Sequence, residues 1–306
     1  MNHKTLTSIN NKLKIFNAQV MKKIVSLIFI FLFTCTYSQL FSQKNDSLLF
    51  GVKDRVSFEG NPKGMQFVPM GSFEMVTESG KKIISIQAFW MSNEITNKEF
   101  REFTDYAKLH GNDSIYWFQK SKNIQENKII YKYSYKEIAG ILIDSMAMPK
   151  EYPENSKEYA FYKNYFTDKK FDHYPVVGVS YQSARFYCIW KTNMENLKLK
   201  KEGKQLMNDY RIPTDEEWCY AADICKNTKQ EHKPEIKKSK SGKKNKLSLH
   251  NLFGNVSEWT STTISDKKKQ LRGASWKNKN KNNFVLPENS SNGHTGFRIV
   301  RTFIGQ

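Results

Sequence analysis

The chain has 306 residues, 39% of them hydrophobic and 14% aromatic, enough to bury one large core, and one compact domain is the expectation. A formal charge of +19 raises the question of nucleic acid, but no nucleic-acid-binding motif accompanies it, and nucleic acid is not expected as a partner. Four cysteines with no CxxC spacing exclude a disulfide framework and a thiolate zinc site.

The N-terminus reads as an export signal. MKK (21–23) is a basic stretch, IVSLIFIFLF (24–33) an apolar run too short to be a good membrane span, and TCTYS (34–38) a small polar region. Met21 is an alternative start. Two processing routes stay open: cleavage after Ser38, leaving a soluble chain from Gln39, or lipidation of Cys35, since Leu32-Phe33-Thr34-Cys35 resembles a lipobox. Either way the protein is expected in the periplasm or cell envelope, with association with the outer membrane left open. Residues 39–63 read as a linker to a domain spanning 64–306.

GMQFVPMGSFEM (64–75) and KKIISIQAFWMS (81–92) read as strands, the second from the alternation of Ile84, Ile86 and Ala88 with Ser85 and Gln87. The period then changes: Phe100, Phe103 and Ala107 recur at helical spacing, with Thr96 or Asn97 as cap. Residues 111–172, rich in Tyr, Lys and Asn with weak periodicity, read as an ordered insertion, because so aromatic a segment argues against disorder. Val176 to Val179 is expected to be a buried strand running into a helix opened by Ser180, with Ala184, Tyr187 and Cys188 on one face. Thr214 and Glu217 form an S/T-x-x-E capping box ahead of another helix whose Trp218, Ala221 and Ala222 face the core. Lys226 to Lys246 holds nine lysines and two glutamates and reads as a solvated loop, with contact to an anionic surface as the alternative.

Taken in order, FVPMGSFEM, NEITNKEFREF, YPVVGVSYQSARFYCIW, YRIPTDEEWCYAA, NLFGNVSEW, LRGASW and GFRIVR resemble the formylglycine-generating-enzyme family, also called the sulfatase-modifying-factor domain. The resemblance runs from about Gly64 to Arg301. It implies a single α+β domain related to C-type lectins, with much irregular backbone. Within the family, YPVVGVS…CIWKTNMENLKL followed by YRIPTDEEW is similar to envelope lipoproteins of gliding motility and type IX secretion.

The resemblance also implies an oxidase whose copper is held by two cysteines between R-G-G-S and G-F-R, since soft Cu(I) favours thiolates. Here WKNKNKNNFVLPENSSNGHTGFR has no cysteine, so copper is not expected. A second branch binds iron through HxxxHxE spacing; no two of the six histidines are four apart, so iron is not expected either. His294 and Ser275 near the family's cleft could suggest a base and a nucleophile, but a loop histidine and a structural serine account for them better, and no catalytic residue is assigned. What carries over is a calcium loop, with Asn251 and Glu258 contributing side-chain oxygens and Gly254 and Val256 carbonyls. The family's second calcium site falls in the lysine-rich segment, which would repel a cation, and is not carried over.

The expectation is therefore a non-catalytic exported domain serving as scaffold or partner-binding component of an envelope machine, contacting envelope proteins through the basic loop and the Tyr-rich insertion. The alternatives are a metal-dependent oxidoreductase with a rearranged site and a lectin-like binder.

Overall fold

A computed structural model describes residues 62–77, 80–119, 128–204, 206–227, 234–242, 244–279 and 284–303, with the backbone alone for 116–119 and 128–132. The proposed export signal, Cys35 and the linker lie outside the described residues. All of the described residues fall in one compact unit, Glu59–Ile304.

The first strands follow the alternation in their sequences. β1 (Met65–Val68) pairs antiparallel with β4 (Phe89–Ser92), and between them β2 (Gly71–Thr77) and β3 (Gly80–Ile86) form a separate hairpin. β2 turns Phe73 and Met75 inward, the period of two expected of a strand with one buried face. α1 (Asn97–Leu109) is capped by Thr96, whose side chain accepts from the Glu99 N–H while the Glu99 carboxylate accepts the Thr96 N–H. Phe100, Phe103 and Ala107 are buried on its inner face.

The insertion contains its own elements: a hairpin of β5 (Ser114–Gln119) and β6 (Lys128–Ser134), then α2 (Tyr135–Ala139) and α3 (Lys157–Tyr162). Its aromatic residues are structural. Tyr165 and Phe171 are buried with Val256 and Trp276, and the rings of Trp276, Tyr152, Tyr162 and Phe171 stack in succession at 5.4, 5.5 and 5.7 Å between centroids.

The predicted strand Val176 to Val179 does not form. That stretch is buried and only an isolated bridge, Thr96 to Pro175, stands beside it, because its backbone groups are used elsewhere. The Val179 carbonyl accepts the Trp259 indole N–H at 3.0 Å, the Pro175 carbonyl accepts Tyr165 Oη at 2.7 Å, and Gly178 exchanges bonds with Asp144 and Asn292. A continuous apolar run reads alike whether its backbone pairs with a strand or with scattered loops.

α4 (Tyr181–Lys201) opens on the Ser180 cap, and Ala184, Tyr187 and Cys188 are buried as predicted. β7 (Tyr210–Arg211) leads into α5 (Asp215–Ile224), where Thr214 and Glu217 form the expected capping box; Trp218 and Ala221 are buried and Ala222 packs partly buried beside them. The last third is sheet: β8 (Ser257–Ser265), β9 (Lys268–Arg272), β10 (Phe284–Pro287), β11 (Thr295–Gly296) and β12 (Val300–Thr302). One four-stranded sheet runs β1-β4-β12-β7 and a second runs β10-β9-β8-β11, with β11 parallel to β8. Among the described residues no helix is long and apolar enough to cross a membrane.

Candidate functional site

The segment NLFGNVSEW (251–259) lies where three apolar clusters meet. Leu252 belongs to the cluster around Trp218 and Met91, Val256 to the aromatic cluster of the insertion, and Trp259 to the main core of Phe100, Tyr187 and Phe297. Its backbone turns through left-handed residues at Asn251 (φ 56°) and Asn255 (φ 73°), a conformation asparagine tolerates better than other side chains with a Cβ.

Both asparagines point at one carboxylate. Glu94, just ahead of α1, is 2% exposed, and its two oxygens accept the side-chain amides of Asn251 and Asn255, each at 2.9 Å. Asn255 also accepts the Lys237 N–H at 2.8 Å and donates to the Lys237 carbonyl at 3.1 Å, while the Asn251 amide reaches the carbonyls of Ser239 (3.1 Å) and Lys238 (3.4 Å). In the described part of the lysine-rich segment the lysine side chains are largely exposed, while part of its backbone is held against this site. The backbone of Lys237, Lys238 and Ser239 is fastened to this site, Ile236, Ser239 and Asn245 are buried, and the side chains of Lys238, Lys240 and Lys244 are left in solvent.

Glu258 is buried beside this layer and fully engaged. Arg298 donates to it from Nε and Nη2, both at 2.5 Å, and the Trp218 indole donates at 2.7 Å. The rest of the guanidinium is satisfied by the carbonyls of Ser92 (3.0 Å) and His250 (3.3 Å). Burial, and after it the charge of Glu258, pushes Glu94 up to about 8 against the opposing pull of Arg298 and the two amides. Two carboxylates sharing one guanidinium require either a proton on Glu94 or a further cation for balance.

The predicted calcium ligands therefore stand as follows. Asn251, Gly254 and Val256 lie on one loop and Glu258 at the start of β8, but Glu258 faces Arg298, the Asn251 amide faces Glu94, and the Gly254 carbonyl accepts the Val256 N–H at 3.1 Å. Glu94 and Arg298, which dominate the site, are separated from the loop by long stretches of chain in one case and by a sheet in the other. Both were visible in the motifs NEITN and GFR, but nothing in either motif tells which partner it meets.

His294 and Ser275 are near Trp276 yet differently employed. Ser275 is fully buried, its hydroxyl accepting the Asn278 N–H at 3.0 Å. His294 places Nε2 4.0 Å from Glu151, whose carboxylate also accepts the Gly293 N–H at 2.8 Å and pairs with Lys277. Burial, then the charge of Lys277, holds the imidazole below its ordinary range against Glu151, and its Nδ1 is buried without a hydrogen-bond partner. The described thiols are on α4 (Cys188) and at α5 and its end (Cys219, Cys225), and all three are free.

Comparison with known proteins gives one family: the sulfatase-modifying factor enzyme 1-like domain matches residues 53–303. Curated proteins yield no match. Among solved structures the chain is similar to CarF, with 15% identity and a TM-score of 0.43 over 80% of this chain and 100% of that one. It is also similar to Treponema denticola variable protein 1, with 13% identity and a TM-score of 0.44 over 78% and 94%. PvdO from Pseudomonas aeruginosa gives 15% identity and a TM-score of 0.45 over 82% and 100%.

Proposed function

Because this chain belongs to the sulfatase-modifying factor enzyme 1-like domain family, we propose that it retains the family's frame without its oxidase chemistry and acts as an exported partner-binding component of the bacterial cell envelope. The placement of its thiols carries this reading. The stretch after Trp276, where the resemblance puts copper ligands, has no cysteine. The cysteines of the domain sit on other elements, and burial raises all three, Cys219 to about 12. Copper needs thiolates that converge and deprotonate, so the donor set does not fit the metal.

The export signal and the similarity of the 174–218 region to gliding-motility and type IX secretion lipoproteins favour an envelope machine of that kind. The ammonium groups presented by the anchored basic segment supply a contact surface for an acidic partner or an anionic membrane. Purified protein starting at Gln39 should hold neither copper nor iron at stoichiometric level and should consume no oxygen with a thiol peptide; either activity or metal overturns the proposal. Envelope proteins should co-purify with it, and neutralising the lysines of 226–246 should release them. Specific glycan binding unaffected by those lysines would favour the lectin-like alternative.

A structural calcium ion at the Asn251 to Glu258 loop belongs to the same proposal, supported by the surplus of carboxylate over guanidinium there. Chelation should lower the melting midpoint and added calcium restore it, calcium contributing roughly 2.7 kcal/mol of stability at a hundredfold excess over Kd. An unchanged midpoint would mean that the Arg298 pair and a protonated Glu94 hold the loop unaided.

A further inference from the structure

A cavity of about 490 Å³ lies between the C-terminal halves of α1 and α4, the start of α2 and Leu206, remote in sequence from the calcium loop. That size is within the range of ligand pockets, roughly 300–1,000 Å³, and accepts one side chain with its flanking peptide groups. Its walls hold one charge of each sign, Asp113 and Lys200, and Asp113 is itself met by His110 Nδ1 at 3.0 Å. They favour neither an anion nor a cation.

What the cavity offers is neutral hydrogen-bonding groups. Tyr135 is only 3% exposed, and its hydroxyl has no hydrogen-bond partner among the described residues. Its backbone N–H donates to the Asp113 carbonyl at 2.9 Å, which fixes it at the wall. Burial, and after it Tyr106 and Asp113, pushes the phenol up, so it stays a hydroxyl that can both donate and accept. On α4, Asn196 accepts the Met207 N–H at 2.9 Å through Oδ1, which leaves its NH2 group over. Asn193, on the same face one turn earlier, carries a second side-chain amide with no partner among the described residues. Amide groups and a hydroxyl together match the paired donor and acceptor of a peptide group.

The apolar part of the lining is aliphatic. Met194, Leu197 and Leu206 supply it, the two leucines 52% and 56% exposed. Of the aromatic residues, Tyr106 is stacked by His110 at 4.0 Å between centroids and Tyr135 is almost wholly buried, so a branched side chain finds more surface here than a sugar ring does. We propose that this cavity docks a short uncharged segment of a protein partner. An aliphatic side chain of that segment packs against Met194, Leu197 and Leu206, and an adjacent peptide group bonds to Tyr135, Asn193 and Asn196. The inference rests on the partner-binding reading and gives it a second contact surface, one that uses none of the lysines of 226–246.

N-acetyl-leucine N-methylamide is the probe, titrated into the full exported chain by NMR, with the glycine and aspartate analogues and methyl glucoside as comparisons. The leucine probe should bind saturably. The glycine analogue should bind more weakly by roughly tenfold or more, as loss of a buried leucine side chain implies, and the aspartate analogue should bind more weakly still. Tyr135→Phe, which deletes only the hydroxyl, should weaken the probe roughly fivefold, and Leu197→Asp should abolish saturation, with native circular dichroism in both. No saturation below about 10 mM, equal binding of the leucine and glycine probes, affinity unchanged in both variants, or saturable binding of methyl glucoside alone would overturn the proposal. If Tyr135→Phe loses native circular dichroism, Asn193→Ala decides in its place. The two readings fail separately. No probe binding by a chain that still releases envelope proteins on neutralisation of 226–246 overturns this cavity alone, whereas probe binding by a chain that holds copper overturns the envelope reading and leaves the cavity a peptide site.

Discussion

At the scale of single residues, the Glu258–Arg298 pair has the largest stake in stability. Both side chains are almost wholly removed from water, 1% and 0% exposed, and every donor of the guanidinium that the pair needs has an acceptor. Removing one partner strands the other's charge in the core, so Arg298→Met should cost about 3–5 kcal/mol in urea unfolding. The double variant Glu258→Gln/Arg298→Met should recover part of that loss, and a loss equal to the sum of the single variants would show that the two do not act as a pair. His294 makes a prediction of the other sign. Its folded value lies below the ordinary 6.5, through burial and Lys277 and against Glu151. The unfolded chain therefore binds more protons as pH falls through 6.5, and the contribution of the neutral imidazole, present above that value, is lost toward the lower folded value. The midpoint of His294→Gln should consequently fall less than that of the parent between neutral and mildly acidic pH.

At the scale of elements, what was legible in the sequence is local. The capping boxes of Thr96 with Glu99 and Thr214 with Glu217 lie within four residues, so the chemistry that starts α1 and α5 is written in adjacent letters. Thr214→Ala should cost about 1 kcal/mol by calorimetry. The calcium loop was found as a segment because its asparagines, glycine and glutamate are close in sequence. The acid that its asparagines hold was not found, because Glu94 lies 157 residues before Asn251 and its motif is equally consistent with helix capping. The same limit explains the failure at Val176 to Val179. Apolar content predicted burial correctly, whereas the partners of its backbone are the Ile95 carbonyl, the Trp259 indole and the backbones of Asp144 and Asn292, brought in from four other segments. Gly178 shows how closely they approach: with φ at 77°, an added Cβ would lie 2.2 Å from the Asp144 carbonyl oxygen. Gly178→Ala should therefore destabilise by more than the roughly 1–3 kcal/mol of backbone strain alone, measured by urea unfolding.

At the scale of the whole molecule, the three apolar clusters are not independent. Leu252, Val256 and Trp259, eight residues from first to last, each belong to a different one. Unfolding of the domain is expected to be a single calorimetric transition, and chelation, if calcium is bound, should move that whole transition rather than detach a local one. Composition foresaw a single domain, but it treated the basic segment and the aromatic insertion as additions to it. Both are instead walls of the same core, the first through Ile236 and the second through Tyr165 and Phe171.

The order of the strands has a consequence for biosynthesis. β12, the last of the described strands, lies between β4 and β7, so the first sheet is split until residues 300–302 are available. Arg298, which neutralises Glu258, and Phe297 of the main core are delivered by the same late segment. The first sheet therefore cannot close at its centre until every other described strand has been synthesised, whereas the second sheet and the two hairpins do not wait for it.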